Sequence, residues 1–256
     1  MRPAVTVCMA TYNGAKFLNE QIYSIVKQLD VNDELLVVDD CSTDRSVTVI
    51  KEFSDSRIKV VHQSTNQGHV KSFEKAISLA TNKIIFLADQ DDIWLPGRLN
   101  FMAMELLNSS NLLVTSTFGL IDQAGAKLAA PPLAIRDNTS NHHLINILGI
   151  FLGRRPYFGC AMAFKSELLD IALPIPDFVE SHDIWLAMIS NMSRKNLHCE
   201  KQTLLRRIHS RNLSTVKPRS MDKILKTRLI FILSVAVISL RLGKYRLALL
   251  MNQPLR

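Results

Sequence analysis

Cysteine is scarce in this chain and never clustered. Cys8, Cys41, Cys160 and Cys199 stand far apart, with no CxxC and no Cys/His ligand spacing. A disulfide framework and a zinc motif are therefore excluded as organising devices, and reduced, mostly buried thiols in a cytosolic protein are expected. A long hydrophobic run is also missing. Residues 229–240 form an unbroken run of apolar residues and two serines between Arg228 and Arg241. As a helix this run reaches roughly 18 Å, short of the roughly 30 Å hydrocarbon core of a bilayer. The apolar opening at residues 4–9 is too short for a signal-peptide core and runs straight into a polar motif, so no leader is expected. No internal repeat or low-complexity segment is present.

What is present describes a globular protein. Hydrophobic residues make up 47% of the 256, enough for one large domain or two intimate lobes. The net charge of +8 raises the question of nucleic acid, but the aromatics are not interleaved with the basic residues and no recognition motif occurs. No nucleic-acid partner is expected. The basic residues crowd from Arg194 onward, while the first half is near balance. Such a bias suits the phosphates of a small ligand or anionic lipid headgroups equally well.

The first hundred residues alternate between strand and helix patterns. Residues 5–9, 35–38, 58–61 and 84–88 are short apolar runs. Leu18, Ile22, Ile25 and Leu29 fall at i, i+4, i+7 and i+11, and Val70, Phe73, Ile77 and Ala80 make a second helical stripe. A helix over residues 43–53 takes Ser42 or Thr43 as its cap. This order predicts an α/β fold with a mostly parallel central sheet and helices on both faces. Further on, Pro96 opens a helix in its first turn, residues 112–118, 159–164 and 203–208 read as strands, and residues 184–189 as part of a helix. A polar, proline-containing loop at 129–141 is the expected lobe boundary. Residues 221–250 are helical, either packed on the domain or lying on a membrane with Arg228 and Arg241 on lipid phosphates.

In parallel sheets ligands sit at the carboxyl ends of the strands, and the polar groups gather there. Thr11-Tyr12-Asn13-Gly14, Asp39-Asp40, Asn66-Gln67-Gly68 and Asp89-Gln90-Asp91-Asp92 each follow a predicted strand. Three carboxylates within four residues repel one another and call for a cation. Oxygen ligands suit Mg²⁺ or Mn²⁺, ions that bridge protein carboxylates to substrate phosphates.

These four motifs, in this order, resemble the signatures of family 2 glycosyltransferases with the GT-A fold, over roughly residues 4 to 215. Asp-Gln-Asp-Asp-Ile-Trp at 89–94 with His182-Asp183-Ile184-Trp185 is similar to the rhamnosyltransferase-like branch that builds bacterial surface polysaccharides. The resemblance implies an inverting, metal-dependent transfer from a nucleotide-diphosphate sugar, with deoxythymidine diphosphate-rhamnose the first choice of donor, to a saccharide or lipid-linked acceptor. It further implies that Ala10, Thr11, Tyr12, Asn13, Gln67, Gly68 and Gln90 line the nucleotide-sugar site and that Asp39 accepts a hydrogen bond from the base. Asp40 either supports the ribose or stabilises its turn. Asp89 orients ribose or sugar hydroxyls, Asp91 ligates the metal, and Asp92 is either a further acid of the site or a turn residue.

By the same resemblance Asp183 is the base for the acceptor hydroxyl, and His182 tunes it or touches the acceptor. The family commonly has Glu-Asp where this chain has His182-Asp183. Gly159 lets the backbone approach the donor sugar, and Trp185 stacks on a sugar face. Trp94 either stacks likewise or packs. The segment from Arg206 to Asn212 resembles the family's Arg-x-His-x-x-Asn ending, which makes Arg206 or Arg207 a phosphate clamp and His209 a metal or diphosphate contact. The expected organisation is a catalytic domain at 1–219, with a nucleotide-sugar half at 1–118 and an acceptor half at 119–219, and a basic, apolar helical region at 220–256. The expected location is cytoplasmic, at the inner face of the membrane. A phosphoacceptor domain would carry its acid pair after the first strand. A nucleotidyltransferase would carry a glycine-rich basic loop where Thr11-Tyr12-Asn13-Gly14-Ala15 stands.

Overall fold

The computed structural model describes residues 2–129, 135–209 and 220–251. The first half is the predicted alternation: β1 (Val5–Thr11), α1 (Ala15–Val26), β2 (Glu34–Asp39), α2 (Ser46–Glu52), β3 (Ile58–His62), α3 (His69–Leu79) and β4 (Ile84–Ala88). The four strands lie in the order β3-β2-β1-β4 and pair in parallel. The two-residue period of a strand divides their side chains between two cores. Val5, Val7 and Met9 pack with Leu18, Ile22 and Ile25 of α1, while Cys8 packs with Phe73 and Ile77 of α3 on the other face.

The second half contains β5 (Ile93–Trp94), α4 (Arg98–Leu107), β6 (Leu113–Ile121), α5 (His143–Phe151), β7 (Met162–Lys165), α6 (Leu169–Ala172), α7 (His182–Met192), β8 (Asn196–Arg207) and α8 (Met221–Leu250). The sheet continues as β4-β7-β6-β8-β5. β7 runs antiparallel to both β4 and β6, β8 parallel to β6, and β5 antiparallel to β8. The fold is thus α/β with a sheet that is parallel in its first four strands and mixed beyond them.

Several local readings shift. Residues 43–45 stay outside α2 because their backbone is used elsewhere. Asn13 Oδ1 accepts the Thr43 N–H at 2.8 Å, and Asp44 Oδ1 accepts the Ser46 N–H at 2.8 Å in place of a Ser42 or Thr43 cap. Pro96 lies before α4, in a turn closed by the Arg98 N–H on the Leu95 carbonyl at 3.3 Å, with Gly97 at φ +81°. Proline followed by a positive-φ glycine is the sequence of a type II turn. Residues 203–208 are the end of a strand that begins at Asn196, and β6 runs on to Ile121, past the expected division at 118. Residues 130–134 of the expected loop lie outside the described residues.

All four cysteines are free thiols, three of them buried. Helix α8 packs against α6 and α7 through Ile238 and Leu242, and Arg241 donates to the Ile171, Ala172 and Pro174 carbonyls. Among the described residues, no helix is long and apolar enough to cross a membrane.

One carboxylate binds the amino edge of the sheet together. Burial raises the Glu34 pKa, but Lys59 at 2.6 Å, the Thr6 hydroxyl and the Thr81 hydroxyl and N–H together draw it down to about 2. A folded pKa below the unfolded one contributes stability at neutral pH that is lost as the pH falls from the ordinary carboxylate range toward about 2. Urea titrations across that window should show wild-type stability declining with acid. Glu34→Gln should be less stable at pH 7 and show a flatter decline. An equally steep decline in the variant removes Glu34 from this role.

Candidate active site

The ends of β1, β2 and β4 are fastened to one another before any ligand is considered. Gln90 Oε1 accepts the Thr11 hydroxyl at 2.7 Å and the Tyr12 N–H at 2.9 Å, and Gln90 Nε2 donates to the Tyr12 carbonyl at 3.3 Å. Ala10 and Thr11 therefore lie at a fixed strand end, with the Tyr12 ring 46% exposed beside it. Asn13 adopts φ +49° and holds residues 43 and 44 through its side-chain oxygen. The role expected for Gln90 at the donor changes accordingly, since its amide is engaged in holding the β1 end.

Asp39 and Asp40 divide sharply. Asp40 is engaged through both oxygens: Oδ1 accepts from Gln63 Nε2 and the Gln67 N–H, both at 2.7 Å, and Oδ2 from the Gly68 N–H at 2.9 Å. Of its two readings the turn prevails, because these bonds fix Gln67 and Gly68 at the start of α3. Asp39 accepts only the Ser42 N–H at 3.2 Å, with His62 Nδ1 at 3.6 Å. Its Oδ1 is buried without a hydrogen-bond partner among the described residues. A buried, unpaired carboxylate oxygen at a strand end is an acceptor waiting for a donor.

The carboxylates after β4 form the centre of the site. Asp91 Oδ2 meets His209 Nε2 at 2.8 Å, and the His209 ring stacks on Phe17 with centroids 4.9 Å apart. Asp92 Oδ1 accepts the Arg207 N–H at 3.0 Å, while its Oδ2 is buried without a hydrogen-bond partner among the described residues. The ligand atoms of Asp89, Asp92 and Cys160 lie within 4.8 Å of one another. Burial, then Asp92 and Asp91, raise Asp89 well above the carboxylate range, and Asp183 adds to the rise while Arg206 opposes it. Burial and Asp91 raise Asp92 to about 7.

This donor set fits a hard divalent cation. Carboxylate oxygens and an imidazole nitrogen suit Mg²⁺ or Mn²⁺. The Cys160 thiol does not, since burial and the two acids raise its pKa well above the ordinary value and keep it protonated. The expected metal residues Asp91 and His209 are therefore together, and Asp92 is buried close to Asp91.

Asp183 sits in the first turn of α7, within electrostatic reach of Asp89. Its Oδ1 accepts the Ile184 N–H at 2.8 Å and the Ser181 hydroxyl, and Oδ2 accepts the Gly159 N–H at 3.2 Å. Gly159 faces protein rather than a ligand: a Cβ there would stand 2.9 Å from His182 Nε2 and 3.6 Å from Asp183 Cβ. The glycine is required by the close seat of His182, not by a sugar. His182 is buried and stacked on Phe73 at 4.0 Å, with neither ring nitrogen bonded among the described residues, and burial lowers its pKa to about 4 although Asp183 opposes this. It is a neutral ring behind Asp183.

Two expected contacts are corrected. Trp185 is 1% exposed and donates its indole N–H to the Ala172 carbonyl at 3.0 Å, so no sugar reaches it; helix periodicity turns it inward, two positions after Asp183. Arg207 is equally buried, spanning Glu20 at 2.5 Å and the Asp91 carbonyl at 2.9 Å, which leaves Arg206, stacked on Phe158 at 4.5 Å, as the cation near the acids. Trp94 is buried in packing, beneath the guanidinium of Arg98 at 4.5 Å. Arg98 is the residue sequence reasoning passed over. It is fully buried, donates to Thr203 and to the Cys160 carbonyl, and lies within electrostatic reach of Asp92. Its only signal was a charged residue on the apolar side of α4. Asn212 of the C-terminal motif lies outside the described residues.

Comparison with known proteins agrees with this geometry. The model of the family "Glycosyl transferase family 2" matches residues 6–168. The chain is 27% identical over 199 residues to the Escherichia coli UDP-Glc:alpha-D-GlcNAc-diphosphoundecaprenol beta-1,3-glucosyltransferase WfgD, covering 76% of this chain and 73% of that one. It is 26% identical to a Bacillus subtilis glycosyltransferase assigned to teichuronic acid biosynthesis, TuaG, covering 60% and 63%. Among solved structures, S. aureus TarS 1-349 in complex with UDP-GlcNAc superposes with a TM-score of 0.71 at 18% identity, over 91% of this chain and 66% of that one.

Asp92 supplies a direct electrostatic test. An acid whose folded pKa lies above its unfolded value costs stability as the pH rises from about 4 through about 7. Metal-free protein should therefore lose thermal stability over that range. Asp92→Asn, which can still accept the Arg207 N–H, should be more stable than the wild type at pH 8 and equal to it at pH 4. A variant less stable at pH 8 would mean the acid is compensated within the protein.

Proposed function

The chain belongs to glycosyl transferase family 2, and we propose that it moves a sugar from a pyrimidine-nucleotide diphosphate sugar to a hydroxyl of a saccharide or lipid-linked acceptor, with inversion, in the building of a bacterial surface polysaccharide. The observation that carries this reading is the gathering of Asp91, Asp92, Arg206 and Asp183 within electrostatic reach of Asp89 at one strand end. The acid cluster with Arg206 suits a departing diphosphate, and Asp183 an arriving hydroxyl.

Asp39 Oδ1 receives the N3–H of the base. Uracil and thymine both carry that proton and cytosine does not, so the carboxylate selects the first two. The relatives' names favour uridine: WfgD uses UDP-Glc, and TarS binds UDP-GlcNAc. Deoxythymidine diphosphate-rhamnose remains a donor the base contact alone would accept. Asp89 orients ribose or sugar hydroxyls, and Arg206 lies against the phosphates. Asp91 and His209, with Asp92, would hold Mg²⁺ or Mn²⁺, whose charge offsets that of the leaving diphosphate.

Asp183 takes the acceptor proton. A carboxylate offers about four lone-pair positions, and Ile184, Ser181 and Gly159 occupy three. Those bonds fix its direction, leaving one position for a substrate hydroxyl. The acceptor is a saccharide on a lipid diphosphate, a reading supported by the WfgD name.

Asp183→Asn keeps the helix start intact and removes the base. Its kcat/KM should fall by about a hundredfold or more, with nucleotide-sugar affinity unchanged by calorimetry. Transfer at the wild-type rate would reject Asp183 as the base. A thermal-shift panel of UDP-glucose, UDP-N-acetylglucosamine and deoxythymidine diphosphate-rhamnose with Mn²⁺ identifies the donor. Stabilisation by the uridine sugars is expected, and Asp39→Asn should lessen it; stabilisation by the rhamnose donor alone would reassign the nucleotide.

A further inference from the structure

Helix α8 has two apolar faces, and the domain uses one of them. Ser234, Ile238 and Leu242 face the core against α6 and α7. On the opposite side Leu225, Leu229, Ile232, Leu240 and Leu247 are between 57% and 70% exposed. With Ala236 and Gly243 they recur every three or four residues, which on a helix is a single straight stripe about 33 Å long. Scattered exposed leucines need no explanation, but a continuous stripe does.

The stripe does not stand alone. Helix α5, HLINILGIF, carries no acidic or basic side chain apart from its first histidine and leaves Leu144, Ile145 and Leu148 from 55% to 79% exposed. The two helices meet where Phe151 packs on Phe231 at 5.2 Å, with the Arg228 guanidinium 4.5 Å over the Phe151 ring. Charge frames the stripe on both flanks. By helical position Lys226 and Lys244 lie along one side and Arg228 and Arg246 along the other, and the only acid of α8 is Asp222. Lys226 is paired with Glu180 at 2.6 Å, whereas Lys223, Lys244 and Arg246 are exposed.

We infer that the α8 stripe docks the protein flat on the face of an anionic lipid bilayer, with the apolar side chains in the acyl–headgroup boundary and the flanking cations on lipid phosphates. An apolar strip between two rows of cations complements that surface at each level. A second copy complements it poorly, because two such helices bring cation rows together with only Asp222 to offset them. The helix lies on the bilayer and does not enter it as a span. The consequence for catalysis rests on the proposed transfer reaction: α7 starts at the Asp183 turn and packs on α8, where Arg241 lies 5.5 Å over the Trp185 ring. Docking thus fixes the base-bearing helix relative to a surface from which a lipid-borne acceptor is presented.

The test is co-sedimentation of the full chain with vesicles of phosphatidylcholine alone and of phosphatidylcholine mixed with phosphatidylglycerol, neither containing an acceptor lipid. The wild type should sediment with the mixed vesicles and not with the neutral ones. The triple variant Leu229→Gln, Ile232→Gln, Leu240→Gln changes only exposed side chains. It should lose vesicle binding by about tenfold or more while its circular dichroism and nucleotide-sugar affinity stay as in the wild type. A wild type that remains in the supernatant with anionic vesicles overturns the inference, as does a triple variant that sediments equally well. A wild-type dimer that the triple variant dissociates, without vesicle binding, assigns the stripe to a second copy and overturns it too. Nucleotide-sugar affinity is read separately, so failure at the vesicles is distinguishable from failure of the transferase reading.

Discussion

The carboxylates after β4 are the constraint around which the site is built. Asp89, Asp91 and Asp92 crowd one strand end, and burial makes their mutual repulsion costly, as the elevated pKa values of Asp89 and Asp92 record. The protein supplies partial compensation from three directions. The backbone N–H of Arg207 reaches Asp92, His209 reaches Asp91, and the guanidiniums of Arg206 and Arg98 act through space. What is left over is a cluster in which one buried Asp92 oxygen has no hydrogen-bond partner among the described residues. That residual demand is what the proposed cation and donor phosphates satisfy.

The second half of the sheet can be understood as the device that meets this demand. β8 pairs with β6 and β5 and delivers Arg206 and Arg207 to the acids, with His209 just beyond them. β7 turns back between β4 and β6, and the turn before it, at Gly159–Ala161, sets Cys160 against Asp92 and the Gly159 N–H against Asp183. A purely parallel continuation would not return the chain to the same edge by so short a route. The mixed topology and the closeness of the two halves of the reaction are one fact.

Legibility followed the kind of signal each residue carried. β1 to β4 and α8 could be read because apolar periodicity reports burial directly, and the Asp cluster because like charges in a row have few innocent explanations. Asp39 and Asp40 are adjacent and identical in type. Only the hydrogen bonds from Gln63, Gln67 and Gly68 separate the turn-former from the acceptor. Trp185 and Arg207 resemble ligand-facing residues in a linear string, yet helix phase and strand alternation point both inward. Gly159 reads in the sequence as a place where the backbone approaches a sugar, but the neighbour its missing Cβ makes room for is His182, which lies 23 residues away in sequence and cannot be inferred from spacing. The first half of β8 is polar in sequence because its side chains enter a hydrogen-bonded network around His198, so it lacks the apolar run by which strands are recognised.

The central claim is that the acid cluster holds protons in the absence of a cation and releases them to bind one. Calorimetric titration of Mn²⁺ into the protein with UDP near pH 6, in buffers of differing ionisation enthalpy, reads that release directly. The account predicts net proton release near pH 6 that is reduced in Asp92→Asn. Cation binding with no proton release at pH 6 would contradict it.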